Sequence, residues 1–536
     1  MRPLTFKPTA YILLPLFLLL ACKTGTSPKN TILTDHDRAM LDSIVMAAYS
    51  AAPMPGLAVG LVCGDQVYTK SAGYADMGTK QPLTDTTMFC AGNISEVFTS
   101  FMALVLADKY NIKPDEKVSG ILPYFTLNSN TYNNISIRHL LTQTSGVPRH
   151  SVFWDLPNTS DSALQNTTMS IRLQEPEFPE PGTKVVRSPY NFDIAADVIS
   201  KASNMVFEDF VSGHVFAPLG MRQSTYRIAD ILSRPIAKPH NTDNWLSYTF
   251  TCRSDYPHNR EHLGSIGWNT TLADATIWME MVLNNGRHEN TRFIGQKYIR
   301  EFLKPQLATD QQGSYMGLGW EIQKKNKVMV FSKAGDVGGF NNAIVLIPAY
   351  NMGVIVMSNA SGDFNPGIFA QELLFSLKNK TFPKYKPSIH IEMGRVLDST
   401  GSMEKSINFY KQAKEFHYNK YDISAESLSQ LGANLFYRLG RIDDALQIFG
   451  LCKKEFPESA YGYLNYAEYY LYLKDAPLAE NELARAIELT DSSYAQLVHI
   501  KTIENALGLL KEKDSYGPGG KPAESKCDTC EDRTYF

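Results

Sequence analysis

Phe89-Cys90-Ala91-Gly92-Asn93-Ile94-Ser95-Glu96-Val97-Phe98-Thr99-Ser100-Phe101-Met102-Ala103-Leu104-Val105-Leu106-Ala107-Asp108-Lys109 carries a helix signal over residues 93–109. Ile94, Val97, Phe98, Phe101, Met102, Leu104, Val105 and Leu106 cover most of a circumference at 3.6 residues per turn. A helix apolar on nearly every side belongs in the centre of a layered domain. Upstream, Gly56–Cys63 and residues 66–71 read as strands joined at a Gly-Asp turn. Downstream, residues 327–332, Phe340–Ile347 and Met352–Ser358 read as an antiparallel meander. Strands at both ends with helices between them predict an α+β domain over residues 32–380, its termini meeting in one antiparallel sheet flanked by helices.

At 536 residues the chain exceeds one compact core, so at least two domains are expected. An apolar share of 43%, with 28 Tyr and 27 Phe, excludes wholesale disorder. A formal charge of −3 supplies no field for nucleic acid or anionic lipid, and neither is expected as a partner. The N-terminus reads differently: Arg2 and Lys7 precede an apolar run from Tyr11 to Leu20, ending in Leu19-Leu20-Ala21-Cys22. That run is a signal peptide, residues 1–22, too short to span a bilayer. Its end resembles a bacterial lipobox, which implies that Cys22 is lipidated and becomes the mature N-terminus; the bland alternative is a secretory signal with an incidental Cys. Residues 23–31 are a polar tether, and the first helix signal falls near Thr34.

Cys63 and Cys90 lie in apolar runs where a buried thiol is expected. Cys527-x-x-Cys530 has no second pair or His nearby and sits in a tail, residues 511–536, rich in Gly, Pro, Lys and Glu. A local disulfide or two exposed thiols fits it better than a metal site. No motif calls for a metal or a cofactor.

Seven segments in order carry a family resemblance: Pro55-Gly56-Leu57-Ala58-Val59, Gly73-Tyr74-Ala75-Asp76, Ile137-Arg138-His139-Leu140-Leu141-Thr142-Gln143-Thr144-Ser145-Gly146, Pro181-Gly182-Thr183, Pro218-Leu219-Gly220-Met221, Gly264-Ser265-Ile266-Gly267-Trp268 and Gly317-Leu318-Gly319-Trp320. Together they resemble the class C β-lactamase and D-alanyl-D-alanine peptidase family. The resemblance implies an all-helical lobe facing the sheet across an active-site groove. Acyl-serine enzymes of this kind need a Ser at a helix N-terminus and a Lys three residues on to take its proton. In that register Asn93 stands for the Ser and Glu96 for the Lys. The family's Tyr-x-Asn falls on Arg187-Ser188-Pro189, so Arg187 replaces Tyr and Pro189 replaces Asn. A frame shifted to Tyr190 or Asn191 breaks the register with Ile194, Val198 and Ile199. The third element, Lys-small-Gly on an edge strand, survives as Lys333-Ala334-Gly335, followed by Gly338-Gly339-Phe340.

No catalytic set is therefore intact, and the changes look coordinated. Glu96 and Arg187 have the charges to pair, with Lys333 close enough in the implied fold to join them. Asn93-x-x-Glu96 also fits a capping box at a helix start. Ser95 should point to another face, Cys90 precedes the helix, and Ser402-x-x-Lys405 is a chance match in a helical region.

From residue 384 to 510 the pattern is helical throughout, after a boundary near residues 383–387. Ser406, Ala445 and Ala479 are each followed at i+4 by Tyr410, Phe449 and Leu483, and at i+7 by Ala413, Cys452 and Ala486. This resembles the second helix of tetratricopeptide repeats and predicts three helix pairs. Gly432, Ala433, Phe436, Tyr466, Ala467 and Tyr470 supply the first helices. The tyrosines between Tyr461 and Tyr472 read mostly as core, with a concave protein-binding surface as the alternative. The favoured functional reading is an inactive, lipid-anchored envelope protein of β-lactamase-like fold. It binds a peptide or cell-wall fragment in its groove or a protein on its repeats. One alternative is a hydrolase of amide or ester substrates with Glu96 as general base; another is an adaptor working only through its repeats.

Overall fold

A computed structural model describes residues 32–149, 158–309, 311, 313–382, 384–490 and 494–515. Cys22 with its leader and tether, Pro383, and Cys527 and Cys530 lie outside the described residues. The first helix, Asp35–Ala51, starts where expected: Thr34 and Asp37 form a reciprocal capping box, and Asp37, buried, also pairs with Lys380 at 2.6 Å. That contact ties the start of the domain to its end.

The main sheet has nine strands: β1 (Gly56–Cys63), β2 (Gln66–Asp76), β3 (Gln81–Pro82), β4 (Leu307–Ala308), β5 (Ser314–Met316), β6 (Glu321–Lys325), β7 (Val328–Val337), β8 (Phe340–Ile347) and β9 (Met352–Ser358). Their order is β4-β5-β6-β7-β8-β9-β1-β2-β3, antiparallel throughout. β1 pairs with β9, so the two ends of the domain meet in one sheet, as the α+β reading requires. β2 runs five residues beyond the expected 66–71, past Gly73, whose φ of +83° lets the chain hug Pro55.

The period of two sorts β1 between two cores. Leu57, Val59, Leu61 and Cys63 pack with the helices Asp35–Ala51 and Pro366–Asn379, whereas Ala58 and Val62 face the larger helical side. The helix Ile94–Tyr110 is buried at every position from Ile94 to Ala107 and ends on left-handed Asn111. Phe98 stacks on Trp268 with ring centroids 4.2 Å apart, and Trp278 closes the cluster edge-on.

Beyond residue 388 the chain forms helices paired in sequence: Ile389–Thr400 with Met403–Phe416, Ala425–Ala433 with Ile442–Glu455, and Ala460–Tyr472 with Ala476–Leu489. A last helix, Tyr494–Ser515, continues five residues into what the sequence suggested as tail. The i, i+4, i+7 triplets of the second helices are all buried, and Ser402 caps its helix. The tyrosines from Tyr461 to Tyr470 are half-buried against the cores of the helical region, and Tyr472 is exposed, so they border those cores rather than fill them.

The helices dock on the first domain through a hairpin, His240–Asn244 with Thr249–Cys252. Its tip inserts Leu246 among Ile389, Met393 and Leu397, and Gly394 lets the backbone approach, since a Cβ there would lie 2.5 Å from the Leu246 carbonyl. Buried Tyr248 hydrogen-bonds Asp363, His390 and Asn434 beside it.

Candidate functional site

The groove is built where the start of the helix Ile94–Tyr110 meets β7. Two glycines set the spacing: a Cβ on Gly335 would lie 2.2 Å from the Ala91 carbonyl, and one on Gly92 would lie 2.9 Å from the Gly335 carbonyl. Only bare backbone allows that approach. Asn342 locks it, its Nδ2 donating to the carbonyls of Cys90 and Gly335, each at 3.0 Å.

Gly92, at φ +58°, turns the chain so that Asn93 already has helical angles (φ −64°, ψ −4°). The expected capping box therefore does not form, because a capping side chain needs an extended residue to fold back from. Asn93 instead donates from Nδ2 to Glu96 Oε1 at 3.2 Å. On the other oxygen, Lys333 Nζ lies 2.5 Å from Glu96 Oε2, and both side chains are buried, at 10% and 5% exposed. The structure thus brings together Asn93, Glu96 and Lys333, residues 240 positions apart at the extremes.

Arg187 does not pair with Glu96. It reaches Glu321 at 2.8 Å instead, nearer the mouth, with 61% of its own side chain exposed. Glu321 opens β6 opposite Ser332, the neighbour of Lys333. Burial acts to raise the Glu321 carboxyl, but the charges of Arg187 and Lys333 outweigh it and hold the group below the ordinary carboxylate range. The result is a row of alternating charges: Glu96, Lys333, Glu321, Arg187. Glu321 was missed in the sequence, although it directly follows Gly317-Leu318-Gly319-Trp320.

Pro189 sits at the N-cap of the helix Tyr190–Ser203 and offers no amide side chain. The shifted frame fails on geometry: Tyr190 is buried and stacks on His262, and Asn191 is fully buried between Gln143 and Ser145. Lys333-Ala334-Gly335 is not on an edge strand, since β7 lies between β6 and β8. The β6–β7 pairing ends at Glu321↔Ser332, however, so among the described residues β7 has no neighbour on that side from Lys333 to Val337. The stretch behaves locally as an edge, with Ala334 exposed.

Other nucleophiles are disposed of by burial. Ser95 is inaccessible and its Oγ accepts from the Trp268 amide at 2.9 Å; burial pushes the Cys90 thiol up to about 12. A cavity of about 290 Å³ lies elsewhere, lined by Tyr124, Asp161, Lys201, Glu208 and Arg260, and contains none of the motif residues. One group of three potential metal ligands, Asp76, His240 and Cys252, also lies outside the groove.

The family model for β-lactamase matches residues 41–375. Protein flp of Staphylococcus aureus (strain MW2) is 24% identical over 336 residues, covering 62% of this chain and 65% of that protein. Penicillin-binding protein 4* of Bacillus subtilis (strain 168) is 24% identical over 319 residues, 56% of this chain and 67% of its own. Among solved structures, the octameric penicillin-binding protein homologue from Pyrococcus abyssi superposes with a TM-score of 0.58 at 20% identity, over 68% of this chain and 82% of that one. This last likeness concerns the fold. The chain thus spans just under two thirds of the first of these relatives' length.

Proposed function

The chain belongs to the β-lactamase family, and from that premise we propose that its groove binds an acylated peptide or cell-wall fragment without hydrolysing it. The observation that carries the reading is the buried Glu96–Lys333 pair at 2.5 Å, below an Asn in the nucleophile's place. A carboxamide forms no useful acyl-enzyme, and the carboxylate beside it is held in an ion pair with the Lys333 ammonium. The same contact weighs against the alternative in which Glu96 activates water: both of its oxygens are already engaged, by Asn93 and by Lys333. The stretch of β7 from Lys333 to Val337, which β6 does not cover, leaves backbone groups other than the Gly335 carbonyl for an extended ligand.

No helix among the described residues is long and apolar enough to cross a membrane. Lipid on Cys22 would hold the chain at the bacterial envelope, and a palmitate analogue incorporated by the wild type and lost in Cys22→Ser would support that location. The paired helices after residue 388 supply a second surface, of tetratricopeptide-like character, for a protein partner. No cofactor enters this reading.

The test is calorimetric titration with an N-acylated D-alanyl-D-alanine tripeptide, with chromatography for released D-alanine. Expected are saturable binding, no release, and loss of binding in Ala334→Phe, which fills the open stretch from an exposed position. Released D-alanine, or no binding, sinks the proposal.

A further inference from the structure

We propose that Asp76, His240 and Cys252 form a Zn²⁺ site that ties the end of β2 to the root of the hairpin carrying the helical region. Asp76 is the last residue of β2; His240 and Cys252 face each other as the first and last residues of the hairpin. Asp76 and His240 are buried and Cys252 is half-buried. Cys252 Sγ lies 3.0 Å from Asp76 Oδ1 and 3.1 Å from His240 Nε2, and the three ligand atoms fall within 4.8 Å of one another.

The hydrogen bonds around the cluster orient it as an outer shell orients metal ligands. His240 Nδ1 is 2.9 Å from the Asn359 carbonyl, which can only accept, so Nδ1 carries the proton and Nε2 presents its lone pair to the cluster. Asp76 Oδ1 accepts from the Gly78 and Thr79 amides at 2.7 and 3.2 Å, while Oδ2 pairs with Lys238 at 2.9 Å. Three lone-pair atoms therefore converge, the Cys252 thiol donating to Asp76 Oδ1 and the Met77 amide, 3.2 Å away, donating to His240 Nε2.

A thiolate, an imidazole and a carboxylate are the mixed soft and borderline set that suits Zn²⁺. With Zn–S near ~2.3 Å and Zn–N near ~2.0 Å, tetrahedral ligands stand ~3.5 Å apart. Entry of the ion opens the two sulfur edges by about half an ångström, which rotation of Cys252 at the hairpin's end can supply, and draws Asp76 Oδ1 and His240 Nε2, within 4.8 Å at rest, toward each other. The thiol proton leaves to solvent, the Met77 amide yields Nε2, and water takes the fourth position on the exposed side of Cys252. Two ligand anions offset the ion's charge, with Lys238 retained on the distal carboxylate oxygen. Because the hairpin's tip buries Leu246 and Tyr248 against the helices, the ion would stiffen the strut between sheet and helices.

The test uses the full chain in detergent, reduced, with Cys527→Ser and Cys530→Ser removing the tail thiols. Titration with Co²⁺ should give one ion per chain, a thiolate-to-cobalt charge-transfer band and d–d bands of tetrahedral intensity; Zn²⁺ should displace it and raise the Tm. Cys252→Ser should abolish the band and the Tm rise while leaving the far-ultraviolet circular dichroism unchanged, and Asp76→Asn should weaken binding about tenfold or more. No binding, a cobalt complex without a sulfur band, or equal affinity in Cys252→Ser would overturn the assignment.

Discussion

Replacing Glu96 by Gln removes the anion from a buried pair and keeps its shape, leaving the Lys333 ammonium 10% exposed with no carboxylate at 2.5 Å. Breaking one partner of a buried pair costs about 3–5 kcal/mol, because the remaining charge stays desolvated. Glu321 lies close enough for Lys333 to help depress its carboxyl, so part of the loss is recovered there and we expect ~2–4 kcal/mol. Lys333→Met should cost a similar amount by stranding Glu96, whose other oxygen keeps only the Asn93 amide. The double variant strands neither charge and should fall within ~1 kcal/mol of wild type, a coupling of at least ~3 kcal/mol. Urea unfolding followed by the fluorescence of buried Trp268, Trp278 and Trp320 measures all four corners of the cycle. If the two single losses simply add, with coupling below ~0.5 kcal/mol, the pair is not the unit described here.

Gly335→Ala should destabilise by ~2–3 kcal/mol in the same assay, since the added Cβ meets backbone at 2.2 Å; wild-type stability would show that helix and strand are not packed through bare backbone. Leu246→Ala empties a buried position among the helices and should cost ~2–4 kcal/mol and expose residues 384–388 to limited proteolysis. Burial pushes the Asp336 carboxyl up to about 6, against the Ser361 hydroxyl and the Arg438 charge, which pull it down. Between the ordinary 3.8 and 6 the folded chain keeps a proton that the unfolded chain releases, so stability falls as pH rises through that window, by at most ~3 kcal/mol. Asp336→Asn should therefore raise the Tm at pH 7.5 but not at pH 4, and an unchanged pH slope in the variant would refute the cause.

The fold was legible because its signals were local and redundant. The helix at Ile94 is apolar all round, the strands alternate, and β1 and β9 are runs of β-branched and small residues that only a covered sheet accepts. The groove was legible in register but not in partners. Asn93 and Glu96 have the spacing of a capping box, yet the preceding Gly92 adopts a left-handed turn that no spacing reveals, and this decides where the Asn side chain goes. Arg187 had charge to offer, and its meeting Glu321 rather than Glu96 depended on where β6 begins. Lys333 reads as an edge residue because β6 stops one pair short of it, a matter of strand length rather than composition. Asp76 and Cys252 stand 176 residues apart, and only the hairpin register sets His240 across from Cys252.

On the function proposed, acyl transfer has been lost from a groove of this family. Intact-mass spectrometry of the chain after incubation with a labelled penicillin, read beside turnover of a chromogenic cephalosporin, addresses it directly. Residues of such a set act as a unit, so with no hydroxyl at Asn93 the chemistry left is at most a residual ~10³–10⁴ over water. Unmodified mass and no enzymatic turnover are expected. A covalent adduct mapped to Asn93 or its neighbours, or cephalosporin hydrolysis abolished by Glu96→Gln, would contradict that loss.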